Sequence, residues 1–154
     1  MSMDFAERVT VAGTVYALDT FPLEPYRRAL PGAPRLPGWP GCSNGYHAGW
    51  EVRDDALLLM QLNAPQAHAQ ALGIARAALP LAATWFSGLL RCRGGEQRRT
   101  GYPPRTFSDE ELFFDVAAGR VVRAWALDLT MVPDQTYEEQ CLSLPAFLHK
   151  YLKP

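Results

Sequence analysis

The chain has 154 residues, 48% apolar and 20% charged, enough for one domain with a real core and too hydrophobic for wholesale disorder. A formal net charge of −1 provides no global attraction to nucleic acid or to an anionic membrane. The opening MSMDFAERVTV lacks the basic and apolar regions of a secretory signal, and no run approaches the roughly 18 apolar residues of a membrane span.

Arg8 to Leu18 alternates Val9, Val11, Gly13, Val15 and Ala17 against more polar neighbours, which predicts one strand bent at Gly13. Glu24 to Leu30 reads as a short helical turn beginning near Pro25. From Pro31 to Gly45 a proline recurs every third residue, at 31, 34, 37 and 40, a spacing that favours extended polyproline II. The segment reads as a surface loop with Leu36 and Trp39 turned inward rather than as a ligand for a proline-binding groove.

Gly45 to Leu62 reads as a β-hairpin. Tyr46, Ala48, Trp50 and Val52 share one face, Asp54-Asp55 makes the turn, and the apolar run from Leu57 to Leu62 suits a strand buried on both sides. Asn63 and Pro65 then open an alanine-rich helix over about 64–79, weakened at Gly73 and stopped by Pro80. Strands over 83–92 and 97–102 flank a predicted tight turn at Arg93-Gly94-Gly95-Glu96. Strands over 111–116 and 120–129 flank Ala117-Ala118-Gly119, with Gly119 in the left-handed position. Leu144, Phe147, Leu148, Tyr151 and Leu152 fall on one helical face, giving an amphipathic helix over about 144–152. The expected architecture is a single α+β domain over 1–154, a mainly antiparallel twisted sheet built from hairpins, with two helices.

The chemistry-bearing motifs are sparse. Phosphate loops, nucleophile elbows, H-E-x-x-H and dinucleotide fingerprints are all missing from the sequence. His47, His68 and His149 share no ligand spacing, and Cys42, Cys92 and Cys141 are odd in number and far apart. No metal or other cofactor is therefore expected, and the cysteines fit reduced thiols in a cytoplasmic protein. Asp109-Glu110-Glu111 reads as a solvated loop end. Glu51 sits mid-strand beside Trp50, where it is either a buried acid or, by preference, one half of a pair with an arginine on the next strand.

The most distinctive charge feature is Arg91, Arg93, Arg98, Arg99 and Arg105, interleaved with Tyr102 and Phe107 and opposed only by Glu96. On a hairpin Arg91 and Arg93 share a face, and Arg98 can join them across the turn. Clustered arginine beside aromatics can grip carboxylates, phosphates or a nucleic-acid backbone, and it is also the ordinary composition of a polar hairpin tip.

Three stretches, G-Y-H-A-G-W-E-V-R-D-D-A-L-L-L (45–59), T-W-F-S-G-L-L-R-C-R-G-G-E (84–96) and E-L-F-F-D-V-A-A-G-R-V-V (111–122), follow the opening V-Y-A-L-D-T-F-P-L-E-P-Y (15–26). Together they resemble a group of small, uncharacterised bacterial cytoplasmic proteins, over roughly residues 8–125. That group has fewer arginines where this chain has 98–105. Its motifs are structural and carry over no catalytic roles. Some such proteins are encoded near secreted polymorphic toxins, so the resemblance implies an immunity role by analogy.

The resulting expectation is a non-enzymatic cytoplasmic binding protein, an immunity protein that occludes the active site of a polymorphic or type VI secreted toxin. Its partner-binding candidates are Arg91, Arg93, Arg98, Arg99, Arg105 and Tyr102. The alternative is a small-molecule binder or enzyme with a pocket between helix and sheet, using His47 and Glu51. A membrane partner is not expected, and the charge balance argues against nucleic acid.

Overall fold

The computed structural model describes residues 6–100 and 105–130. The helix expected over 144–152 lies outside the described residues. In chain order the elements are β1 (Arg8–Val11), β2 (Thr14–Leu18), α1 (Glu24–Ala29), β3 (His47–Arg53), β4 (Ala56–Asn63), α2 (Gln66–Leu72), a 3-10 turn (Arg76–Ala78), β5 (Leu81–Ala82), β6 (Gly88–Thr100), β7 (Arg105–Ala117) and β8 (Arg120–Asp128).

The fold is rich in sheet with few helices, and the sheet closes on itself as a mixed β-barrel. Neighbours run β3-β1-β2-β6-β7-β8-β4, and the β3–β4 pairing completes the ring, with β5 attached to β4. β1 lies parallel to β3, whereas the β1–β2, β2–β6, β3–β4, β4–β5 and β4–β8 pairs are antiparallel. Closure removes most of the strand edges that an open sheet would leave unpaired. The chain divides into two compact units, the first formed by 6–93 with 112–125 and the second by 94–111 with, among the described residues, 126–130.

The hairpin expected from 45 to 62 is present, and its turn explains its register. Asp54 and Asp55 both adopt left-handed angles (φ 53° and 57°), the geometry that matches the twist of the flanking strands. Tyr46, Ala48 and Trp50 are buried on one face, as their alternation requires. β4 departs from expectation. Leu57 and Leu59 are fully buried, but Leu58 and Met60 are only half-buried and Gln61 is exposed, so the strand is buried on one face. Gly49 faces Gln61 while Trp50 faces Leu59, which leaves Met60 as the extra residue of a bulge.

Three further expectations are corrected. The segment 8–18 is two strands, because Ala12 (φ 50°) and Gly13 (φ 81°) form a two-residue turn with Val11 opposite Thr14. The helix after β4 stops at Leu72 because Gly73 takes the left-handed C-terminal position (φ 68°) and returns its N–H to Gln70. The Arg93-Gly94-Gly95-Glu96 stretch is not a turn but part of the continuous strand β6. A Cβ on Gly95 would lie 2.7 Å from the Asp109 Cβ, so glycine is needed there for close cross-strand approach rather than for chain reversal.

The first unit holds the core. Trp50 and Trp85 meet edge to face at 6.5 Å, and Trp85 lies 4.9 Å from Tyr26 of α1 and donates its indole N–H to the Pro22 carbonyl at 2.8 Å. Leu18, Leu23, Leu57, Leu59, Leu72, Leu90 and Val116 fill the space around them. The Pro31–Gly45 loop is not a continuous polyproline segment. It folds back through a Trp39–Cys42 bridge, with left-handed Gly32, Ala33, Gly41 and Gly45. Leu36 is buried as expected, but Trp39 remains 44% exposed. The Ala118-Gly119 turn (φ 47° and 80°) joins β7 to β8 and is held by Gly119 N–H on the Phe86 carbonyl, 2.8 Å.

Candidate functional site

Two places in the first unit gather chemistry: a buried carboxylate between β1 and β3, and an exposed aromatic–arginine cluster on β7 and β8. The buried acid is Glu7, wholly inaccessible to solvent. One carboxylate oxygen accepts the Ala48 N–H at 2.7 Å, and the other accepts the Trp50 indole N–H at 3.0 Å. Desolvation outweighs these two hydrogen bonds, and with the nearby negative charge of Glu24 it lifts the carboxyl from 4.5 to about 7. Glu24 in turn accepts the Tyr46 hydroxyl at 2.8 Å and pairs with Arg27 at 3.0 Å, and burial with that hydrogen bond pushes the Tyr46 phenol upward. Sequence reading passed over Glu7, because a lone acid before a strand carries no signal when its partners lie some forty positions away.

The exposed cluster is built from the β7–β8 hairpin. The rings of Phe113 and Trp125 stack at 5.3 Å with planes 6° apart, and the Arg123 guanidinium lies 5.3 Å from the Trp125 ring centre. Trp125 is 40% exposed, and Val122 on the same strand is 62% exposed. Trp and Arg are among the side chains that most often carry binding energy at protein interfaces, and Phe is enriched there. The alternation of 120–129 marked a strand, but nothing in it showed that this strand would leave Trp125 uncovered.

The residues singled out from the sequence disperse. Arg91 and Arg93 both turn onto Asp19 of the β2 end, at 3.2 and 2.6 Å, a carboxylate the sequence did not pair with them. Because β6 does not reverse at Gly94-Gly95, Arg98 does not lie across a turn from them. Arg98, Arg99 and Arg105 fall in β6 and β7 with side chains outside the described set, and Tyr102 lies outside the described residues. Glu51 pairs with Arg53 on its own strand at 3.2 Å, rather than across strands or as a buried acid. His47 Nε2 lies 3.2 Å from the Ala6 carbonyl, and His68 Nδ1 lies 2.8 Å from the Gly45 carbonyl. Asp109, Glu110 and Glu111 lie within β7 rather than in a loop, and Glu111 is buried.

No family model matches the chain, and no curated protein or solved structure matches it. Among the described residues no group of three or more His, Cys, Asp or Glu side chains could hold a metal ion. Cys92 is fully buried, and its thiol is pushed up to about 12 by desolvation and by the charge of Asp19, which removes it as a nucleophile at neutral pH. No helix among the described residues is long and apolar enough to cross a membrane.

A cleft does lie between sheet and helix, bounded by the end of β4 and by Ala69, Ile74, Arg76 and Leu79, with a volume of about 420 Å³. Neither His47 nor Glu51 lines it. Glu51 instead borders a shallow depression beside the Ala12-Gly13 and Asp54-Asp55 turns.

Proposed function

We propose that this chain is a protein-binding inhibitor of the immunity type, which covers the active site of a secreted toxin domain and performs no chemistry of its own. The observation that carries the reading is the Phe113–Trp125 stack with Arg123 against it, standing uncovered on the barrel wall. Stacked aromatics on a closed barrel are already rigid, so burying them against a partner costs little conformational entropy. Arg123 has no carboxylate within ion-pair distance among the described residues, so it can select a partner surface bearing acidic groups. The resemblance to a group of small bacterial proteins, some of them encoded near secreted toxins, points the same way. Arg98, Arg99 and Arg105 remain separate partner-binding candidates, whereas Arg91 and Arg93 are compensated by Asp19.

The test is affinity capture from the native host with wild type and with Trp125→Ala, followed by mass spectrometry and by co-expression of the captured domain. Support requires a stoichiometric partner with a toxin-type catalytic domain, neutralised by wild type and released by Trp125→Ala. A partner held equally by both forms removes the assigned surface, and a captured domain that stays toxic in the presence of wild type removes the immunity reading.

A further inference from the structure

The cleft beside β4 has a construction of its own. β5 pairs with β4 only at Leu58 and Leu59, so past that point the side of β4 turned away from β3 has no ladder partner among the described residues. The unpaired stretch, Met60–Asn63, forms one wall of the cleft, and Ile74, Arg76 and Leu79 form the other. Leu62 and Leu79 are half-buried and Ile74 is buried, giving an apolar floor. The amides of Gln61 and Asn63 bond each other at 3.3 Å along the rim. Among the described residues Arg76 is the one charged side chain lining the cleft; it is exposed, and none of their carboxylates pairs with it.

A strand edge, an apolar floor and a single guanidinium together define one kind of occupant. Unpaired main-chain groups seek an extended backbone, which is how peptides add to sheet edges. A lone arginine matches one carboxylate through its planar fork but leaves a phosphate dianion half-neutralised. A volume of about 420 Å³ is in the range of pockets that enclose a few residues or a small ligand.

We propose that this cleft binds the C-terminal end of an extended peptide. The peptide main chain lies along Met60–Asn63, its last side chain rests on Leu62, Ile74 and Leu79, and its terminal carboxylate is held by Arg76. The site shares no residue with the Trp125 cluster and does not rest on the immunity reading.

The probe is acetyl-Thr-Val-Thr-Leu with a free carboxylate, titrated into the isotope-labelled full chain and followed by amide chemical shifts. The same peptide as its C-terminal amide, and 4-methylpentanoate alone, are the comparison ligands. The expected result is shifts centred on Met60–Asn63, with the free acid binding about tenfold more tightly than the amide. Arg76→Gln, an exposed change whose folding is checked in the same spectra, should bind acid and amide alike. Equal binding of acid and amide to wild type, or no binding of either, overturns the proposal. So does 4-methylpentanoate binding as well as the peptide, which would make the site one for small carboxylates.

Discussion

The Glu7 carboxylate accepts the indole N–H of Trp50 at 3.0 Å, and both side chains are sealed in the barrel wall where β1 runs parallel to β3. A carboxylate in this position joins the segment before β1 to the central hairpin, and the main-chain carbonyl of Glu7 accepts the Leu18 N–H at 2.8 Å.

Stability should therefore depend on pH through Glu7. Its carboxyl is raised from 4.5 to about 7, so the folded chain binds this proton more tightly than the unfolded chain does. The contribution is fully present below pH 4.5, falls as pH rises, and is lost above about 7, a span worth about 3 kcal/mol. Glu7→Gln should flatten that slope. It should also lower stability at pH 5 by about 1–3 kcal/mol, because one of the two N–H donors then faces an amide NH₂. Urea unfolding of both proteins from pH 4.5 to 8 is the measurement, and parallel pH slopes would remove Glu7 as their source.

Gly119→Ala should destabilise the protein by about 2–4 kcal/mol. The position has φ 80°, and a Cβ there would lie 2.7 Å from the Ala83 carbonyl oxygen, so backbone strain and collision add. Thermal unfolding checks this, and an unchanged midpoint would mean the turn relaxes freely.

Asp55→Gly should act in the opposite direction. Asp55 holds φ 57° as the second residue of a two-residue hairpin turn, where Asp-Gly is among the preferred pairs. A gain of about 0.5–1 kcal/mol is expected from relief of left-handed strain, less the extra entropy of glycine in the unfolded chain. Chemical denaturation with an unchanged m-value would confirm that the gain lies in the native turn.

Trp125→Ala should separate stability from binding. The side chain is 40% exposed, stacks on the Phe113 ring and lies beside Arg123, so its loss should cost about 1–2 kcal/mol of stability. Partner affinity should fall at least tenfold if Trp125 is a central anchor. Calorimetric titration with the captured partner, beside a denaturation curve, measures both. A large stability loss with unchanged affinity would make Trp125 a structural residue.

What the sequence determined by itself was local. The hairpin of β3 and β4, the Ala118-Gly119 reversal and the helix at Glu24 were legible because alternation, turn residues and Pro25 act within a few positions of one another. Where one residue type serves two purposes, local reading chose the wrong one. Gly94-Gly95 was read as a turn but allows a strand to pass close to Asp109, and Gly13 was read as a bend but reverses the chain. Only the tertiary structure decided that β1 would lie parallel to β3, which closes the barrel, buries Glu7 beneath Trp50 and brings Asp19 to Arg91 and Arg93. It also decided which face of β8 would be left bare. Those relationships join residues tens of positions apart, and their energies come from burial and desolvation, which no stretch of the chain possesses until the whole has folded.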